Sequence, residues 1–443
     1  MRELWEQEHR LGNYLKVEAA LALSLAELGK IPKEAAQEIS SKASPRFVTL
    51  ERVAQIELET KHDLMAVIKA LTEQCGEAGK FVHTTATSYD IVDTAQALQV
   101  RDSLQILFEK CCTLLEALLK QAEAHSQTVM AGRTHGQHAL PITFGFKLAN
   151  YAQKLGGDAE NLKWDCQNLV QGKFSGAVGT YSAQKSFGVE GSELEQKIML
   201  KLGLKAAPIS TQVVAREGLA RIVCDVAVLA GTLEQIAKEI RNLQRTEIGE
   251  ASEPFGEKQV GSSTMAQKRN PIDCENVCGN ARMVRSCVAP ALENIALEHE
   301  RDLTNSSAER SLLPTVFLLA DDMLDKMAEI ISGLQVYPQK MKGNLELGRG
   351  AMMAEAVITQ LVKKGAGRQE AHEIARKASM AARDNNSSLK QELEKEKTIN
   401  EAFSASELET LFDYSNYTGS AKEKTLEVVS RWRAKLSQWS ESK

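Results

Sequence analysis

The sequence predicts an all-α fold, on three observations. Only 9 prolines and 28 glycines interrupt 443 residues and aromatic residues make up 5%. Ala, Leu, Glu, Lys and Gln abound, which favours helix, and the valine-rich alternating runs that signal strands are scarce. Second, Leu219, Ile222, Val226, Leu229, Leu233, Ile236, Ile240 and Leu243 recur in steps of three and four, the narrow apolar seam of a bundle helix. Third, that helix, read from about Val213 to Arg245, would extend ~50 Å at 1.5 Å per residue. A rod of that length needs partners, from its own chain or from neighbouring subunits.

The remaining elements follow in order. Leu4 to Leu28 carries apolar residues at helical spacing and stops at Gly29, and Pro32 restarts a helix. Thr49 to Glu73 reads as one helix, with Val53, Ile56, Leu64, Val67, Ile68 and Leu71 on one side. Within it, His62 between Lys61 and Asp63 reads as a solvated helix histidine. The stretch from Phe81 to Asp90 holds His83 and the hydroxyls Thr84, Thr85, Thr87 and Ser88, more than the helix that follows, Ile91 to about Lys120, needs for a cap. The pattern breaks again at Ala131 to Pro141. There His135 and His138 stand three apart, open to a metal role or to acid–base work, since imidazole titrates near neutrality. Residues 272 to 295 and 312 to 334 supply further helices. The polar stretch from Glu298 to Arg310 places Arg301, Ser306 and Arg310 where they can serve a ligand. A smaller helical segment runs from about 350, and the chain ends in an amphipathic helix.

The loop Gly249 to Pro271 joins two of these helices and is unusually rich in chemistry. Gly261, Ser262, Ser263, Gln267, Lys268, Arg269 and Asn270 lie within ten residues. Small residues allow close backbone approach, the cations attract carboxylate or phosphate, and Pro271 can open a helix whose N-terminus favours anions. The segment reads either as an anion clamp carrying a candidate base or as a polar surface connection.

Bulk properties narrow the function classes. The net charge of −5 comes from 54 basic and 59 acidic residues that are well interspersed, so no field for gathering nucleic acid is expected. No apolar run reaches the ~18 residues of a membrane span. The eight cysteines lack paired CxxC units and read as reduced thiols of a cytoplasmic protein. Cys274 and Cys278 lack the histidine or acid that would complete a metal set.

Three separated motifs resemble the fumarase/aspartase superfamily: Thr87-Ser88-x-Asp90, Gly132-Arg133-Thr134-His135-Gly136, and Gly261-Ser262-Ser263-x-Met265-x-x-Lys268-x-Asn270. Asp90 to Ala95, Gly132 to Ala139, Lys268 to Pro271 and His299 to Arg310 are similar, more closely, to the adenylosuccinate lyase family. The resemblance covers nearly the whole chain. It implies three helical domains (1–100, 101–350 and 351–443) and a homotetramer around a central helix bundle, with active sites shared between subunits. It implies β-elimination of fumarate from succinyl-AMP and from the succinylated aminoimidazole carboxamide nucleotide, with no cofactor and no metal. By the same resemblance Ser262 is the general base, His135 the general acid, Glu275 its partner, and Lys268 with Asn270 the stabilisers of the carbanion. His62, Asp63, His83, Thr87, Ser88, Gln212, Ser263, Arg269, Arg301, Ser306 and Arg310 are implied in substrate binding.

The chain departs from that family pattern in three places. Met1 begins close to the first helix, where the family carries an arm with an Arg-Tyr pair. Ala266 stands where a proline is usual, and Thr84-Thr85 replaces an aromatic or aliphatic residue followed by glycine. All three bear on substrate fit rather than on proton transfer. They leave open a related lyase or a cycloisomerase-type enzyme as the alternative, with a non-catalytic helical scaffold as the third reading.

Overall fold

The computed structural model describes residues 1–256, 261, 263–265 and 267–441, so Ser262 and Ala266 lie outside the described residues. The chain is all-α apart from short two-stranded pairings. Four long helices dominate: Ser88–Ala124, Phe144–Asn168, Glu217–Leu243 and Thr304–Ser332. The seam predicted for the third is buried from Ile222 to Leu243, while Leu219 is half-buried. Among the described residues no helix is long and apolar enough to cross a membrane.

Contacts divide the chain into two compact units, with the long helices shared between them. The first comprises Met1–Cys111, Asp158–Gly231 and Gly279–Leu324. Its core gathers around the Gln7–Glu27 helix, whose Leu11, Leu15, Leu21 and Leu25 are buried with Leu64, Leu71, Ile91, Phe174 and Leu194. Gly29 terminates that helix at φ 68°.

Where a single helix was expected from Thr49 to Glu73, there are two, Leu50–Thr60 and Asp63–Gln74. Lys61 turns left-handed at φ 52°, and His62 caps the second helix by accepting the Met65 amide on Nδ1 at 3.3 Å. His62 is therefore a cap rather than a mid-helix residue. The helix expected to begin at 312 starts instead at Thr304 and runs through Pro314. Proline there removes the hydrogen bond to the carbonyl of Arg310.

The second unit comprises Cys112–Gly157, Thr232–Cys278 and Asp325–Lys443. Within it the expected loop at 131–141 is a hairpin of Val129–Thr134 against Gln137–Thr143, with its register slipping between Ala131 and Arg133. Pro141, which has no amide to donate, pairs with Ala131 beside that slip. The small C-terminal core packs Val357, Leu361, Ala371, Leu389, Leu393 and Ile399.

Candidate active site

The first unit collects nine of the sequence-predicted residues on a scaffold of buried charge. Asp90 is fully buried and its carboxylate is saturated: it accepts the Thr87 amide at 2.9 Å, the Ser175 and Gly176 amides at 3.1 Å each, and pairs with Lys173 Nζ at 2.6 Å. The Thr87-Ser88 helix start is thus locked by its own motif aspartate. Lys173, also without exposed surface, donates onward to the carbonyls of Gly176 (2.9 Å) and Gln212 (3.1 Å). One ammonium group therefore positions two substrate-binding candidates, Thr87 and Gln212. Beneath them Arg216 pairs with Asp93 at 2.7 Å and with Glu309 at 2.9 Å, all three buried.

Gln212 Oε1 accepts Arg301 Nη1 at 2.9 Å, and the Arg301 guanidinium lies 3.4 Å from the Tyr89 ring centroid. Its buried Nη2 has no partner among the described residues. The Tyr89 hydroxyl donates to Ser306 Oγ at 3.2 Å. Arg310 bonds Asp63 at 3.1 Å, which places His62, the neighbour of Asp63, on the same edge. Tyr89, Ser306 and Arg310 line a cavity of about 120 Å³ with Trp5, Arg10 and Tyr14.

His83 adopts φ 59° and gives both its backbone amide (3.1 Å) and Nδ1 (2.6 Å) to the buried carboxylate of Glu18. That bond fixes the ring and leaves Nε2 for a ligand. Thr85 is left-handed too, at φ 66°, in the position where the related pattern has glycine.

The second unit holds the remaining candidates. His135 and Gly136, at φ 53° and 74°, form the tip of the 129–143 hairpin. Two successive positive φ values match the twist of paired strands, and glycine supplies the second at little cost. His135 is exposed there, without a side-chain partner among the described residues. Arg133 on the same hairpin forms a two-point pair with Glu250 at 2.8 and 2.7 Å. Asn344 adds a third donor to that fully buried carboxylate at 2.7 Å. The hairpin is thereby fastened to the beginning of the 249–271 loop. Burial, with help from Arg133, holds the His138 imidazole below its usual range.

A cavity of about 950 Å³ opens at the end of the Glu217–Leu243 helix. Lys238, Arg241, Arg245, Lys268 and Arg269 line it, against two acids, Glu253 and Glu275. Glu253 is buried and caps the Ile272–Ser286 helix, accepting the amides of Cys274 (2.6 Å) and Asp273 (3.4 Å). Burial raises its carboxyl above the usual range, while those bonds pull against the rise. Burial likewise pushes the Cys274 thiol up, so it is no nucleophile.

Glu275 stands 3.8 Å from Arg241. Arg269 lies over the Phe255 ring at 4.7 Å, and its carbonyl accepts Gln244 Nε2 at 3.1 Å. Asn270 Nδ2 donates to the Gly261 carbonyl at 3.2 Å. A side chain at Gly261 would meet the Lys268 carbonyl at 2.1 Å, so only glycine allows this fold-back of the loop. Ser263 is exposed, its Oγ 3.4 Å from Thr264. Ser262 lies outside the described residues.

Sequence reasoning missed Glu18, Lys173, Asp93, Arg216 and Arg241. Glu18 carried a readable signal, an acid set among Val17, Ala20 and Leu21 in an apolar stripe. Asp93 stood within the Asp90 to Ala95 stretch without a role assigned to it, and Lys173, Arg216 and Arg241 act through partners distant in sequence and carried no signal.

Long helices bearing a locked Thr-Ser-x-Asp helix start, a histidine hairpin and a lysine–asparagine loop define a helical lyase of the fumarase/aspartase type. The sequence model of the lyase family matches residues 1–286, and that described as adenylosuccinate lyase C-terminus matches residues 350–428. An adenylosuccinate lyase of Pyrococcus horikoshii is 48% identical over 430 residues, 97% of this chain and 94% of the relative. A crystal structure of a Mesorhizobium fumarate lyase matches with TM-score 0.89 at 32% identity, over 97% of both chains. That of a 3-carboxy-cis,cis-muconate lactonizing enzyme from Pseudomonas putida matches with TM-score 0.89 at 30% identity, over 97% of this chain and 96% of the other. The chain belongs to the adenylosuccinate lyase family.

Proposed function

We propose that the chain is an adenylosuccinate lyase, eliminating fumarate from succinyl-AMP to give AMP and from the succinylated aminoimidazole carboxamide nucleotide. The observation that carries this reading is the near-full-length likeness to an enzyme of that name, on a chain whose Lys268 faces a cavity with no side-chain partner among the described residues. Ser262 removes the weakly acidic β-proton of the succinyl group. Lys268 and Asn270 stabilise the resulting aci-carboxylate. The C–N bond then breaks, its electrons stay with the departing nitrogen, and His135 protonates that nitrogen.

Thr87, Ser88 and Ser263 hold carboxylate oxygens. His62, His83, Gln212, Arg269, Arg301, Ser306 and Arg310 hold the nucleotide, with Asp63 orienting Arg310. Glu275 tunes His135, the active sites are shared between the subunits of a homotetramer, and the protein works in the cytoplasm. Exposed apolar residues on the first unit, Trp164, Val228, Met283 and Leu292, support assembly. The match to a C-terminal family segment from residue 350 supports the third of the three domains.

The test is direct: purified protein is mixed with succinyl-AMP, and loss of its absorbance is followed with fumarate release. Turnover is expected, with light scattering at four times the chain mass. The likeness to the muconate lactonizing enzyme favours a second reading, a lyase or cycloisomerase with another substrate. No turnover of succinyl-AMP at high enzyme, with conversion of another polycarboxylate, would establish that second reading.

A further inference from the structure

Of the five cations lining the 950 Å³ cavity, three are already engaged. Lys238 lies 3.8 Å from Glu234, Arg241 lies 3.8 Å from Glu275, and Arg269 covers the Phe255 ring. Lys268 and Arg245 alone have no side-chain partner among the described residues. The acids facing them are not available to neutralise them, since Glu253 is held by two helix amides and Glu275 by Arg241.

Arg245 also stands on a rigid support. It follows the Glu217–Leu243 helix in a turn whose backbone is bonded on both sides: its amide donates to the Asn242 carbonyl at 3.3 Å, and its carbonyl accepts the amides of Ile248 (2.9 Å) and Gly249 (2.8 Å). Its neighbour Gln244 bridges the two ends of the 253–269 segment, accepting the Glu253 amide at 3.0 Å and donating to the Arg269 carbonyl at 3.1 Å. A guanidinium held on such a turn, lining one cavity with an ammonium that has no side-chain partner among the described residues, makes an anion site.

We infer that Arg245 is a second carboxylate-binding cation, gripping the dicarboxylate end of the substrate opposite Lys268. The inference rests on the reading of the chain as a fumarate-releasing lyase and deepens it. A succinyl group brings two negative charges, and proton removal adds a third as the aci-carboxylate forms. Lys268 balances one of these. A guanidinium fits the planar two-oxygen geometry of the carboxylate that does not react, and so holds the substrate in both ground and transition states.

The test uses the full chain, as wild type, Arg245→Gln and Arg245→Lys, with two readouts. Succinate is titrated calorimetrically, which needs no turnover. Product inhibition by fumarate and by AMP is measured in the succinyl-AMP assay. For Arg245→Gln, loss of a charge-assisted bond should weaken succinate binding and fumarate inhibition about tenfold or more, with AMP inhibition unchanged. KM should rise more than kcat falls, Arg245→Lys should recover part of the loss, and light scattering should match wild type.

Unchanged succinate binding in Arg245→Gln overturns the inference. So does a weakening confined to AMP, which would place Arg245 at the phosphate, or a loss of assembly with dicarboxylate binding intact, which would make it an interface residue. A wild type that binds succinate but does not turn over succinyl-AMP refutes the proposed substrate and leaves the inference standing or falling on the calorimetry.

Discussion

The scaffold behind Thr87 in the first unit and the large cavity in the second handle charge in opposite ways. In the first, Asp90 and Lys173, and Arg216 with Asp93 and Glu309, are buried and paired within the chain. In the second, the cations of the large cavity stand exposed or half-buried, and Lys268 and Arg245 have no partner among the described residues. Desolvated charge is tolerated only when matched, whereas charge left open to solvent is available to a guest. The first pattern is built for positioning and the second for binding. Substitution should therefore cost folding among the buried pairs and activity among the open cations of the cavity.

The largest effect is expected at Lys173. Lys173→Met leaves the Asp90 carboxylate buried with only its amide donors, and removing one partner of a buried pair costs about 3–5 kcal/mol. Thermal denaturation should show a large drop in midpoint. An unchanged midpoint would break the comparison, because it would mean that Asp90 is satisfied without its counter-ion.

Lys268→Met sharpens the same contrast from the other side. No side-chain partner among the described residues is lost, so stability should stay within about 0.5 kcal/mol. Loss of a donor to the developing carbanion should lower kcat by roughly 10²–10³. Steady-state rates with succinyl-AMP, set beside a thermal melt, separate the two. A variant that unfolds early would move Lys268 into the structural class.

The contrast also explains what the sequence could disclose. The seam from Ile222 to Leu243 was legible because periodic burial is written locally, residue by residue. Thr87, Ser88, Lys268 and Asn270 were legible because each sits in a short contiguous motif. The break at Lys61 was not: Ile56, Leu64 and Val67 keep helical phase across it, and no glycine marks the left-handed residue. The hairpin at 129–143 was obscured by Pro141 and by a register slip that disrupts alternation. The buried pairs join residues such as Glu18 and His83, 65 apart, or Arg216 and Asp93, 123 apart. Nothing in a linear reading brings such residues together.

A smaller effect tests a place where the first unit leaves like charges together. Asp165 is buried, and burial, with the neighbouring Asp225 carboxylate, pushes its carboxyl from 3.8 up to about 7. With the folded value raised, the folded chain holds an extra proton across that window, so stability is highest at its acid end and declines as pH rises towards 7. Asp165→Asn has no proton to lose. Its melting temperature should match wild type near pH 4, the acid end of the window, and exceed it by a few degrees at pH 8. A difference that is the same at both pH values would assign the effect to packing instead of ionisation.

The smallest effect concerns Thr85, where the first unit is strained. A β-branched residue at φ 66° is unfavourable, and its Oγ1 is buried without a partner among the described residues. Both costs vanish in Thr85→Gly, offset by the greater freedom of glycine in the unfolded chain. The Gln184 bond to the carbonyl at 3.1 Å is a backbone contact and survives the change. A net gain of about 1 kcal/mol is expected, seen as a higher melting temperature. The activity measured alongside decides what the strain is for. Higher stability with an unchanged KM for succinyl-AMP makes it a tolerated substitution. Higher stability with a raised KM means that the strained loop holds His83, Thr87 and Ser88 in a geometry that relaxed glycine lets drift.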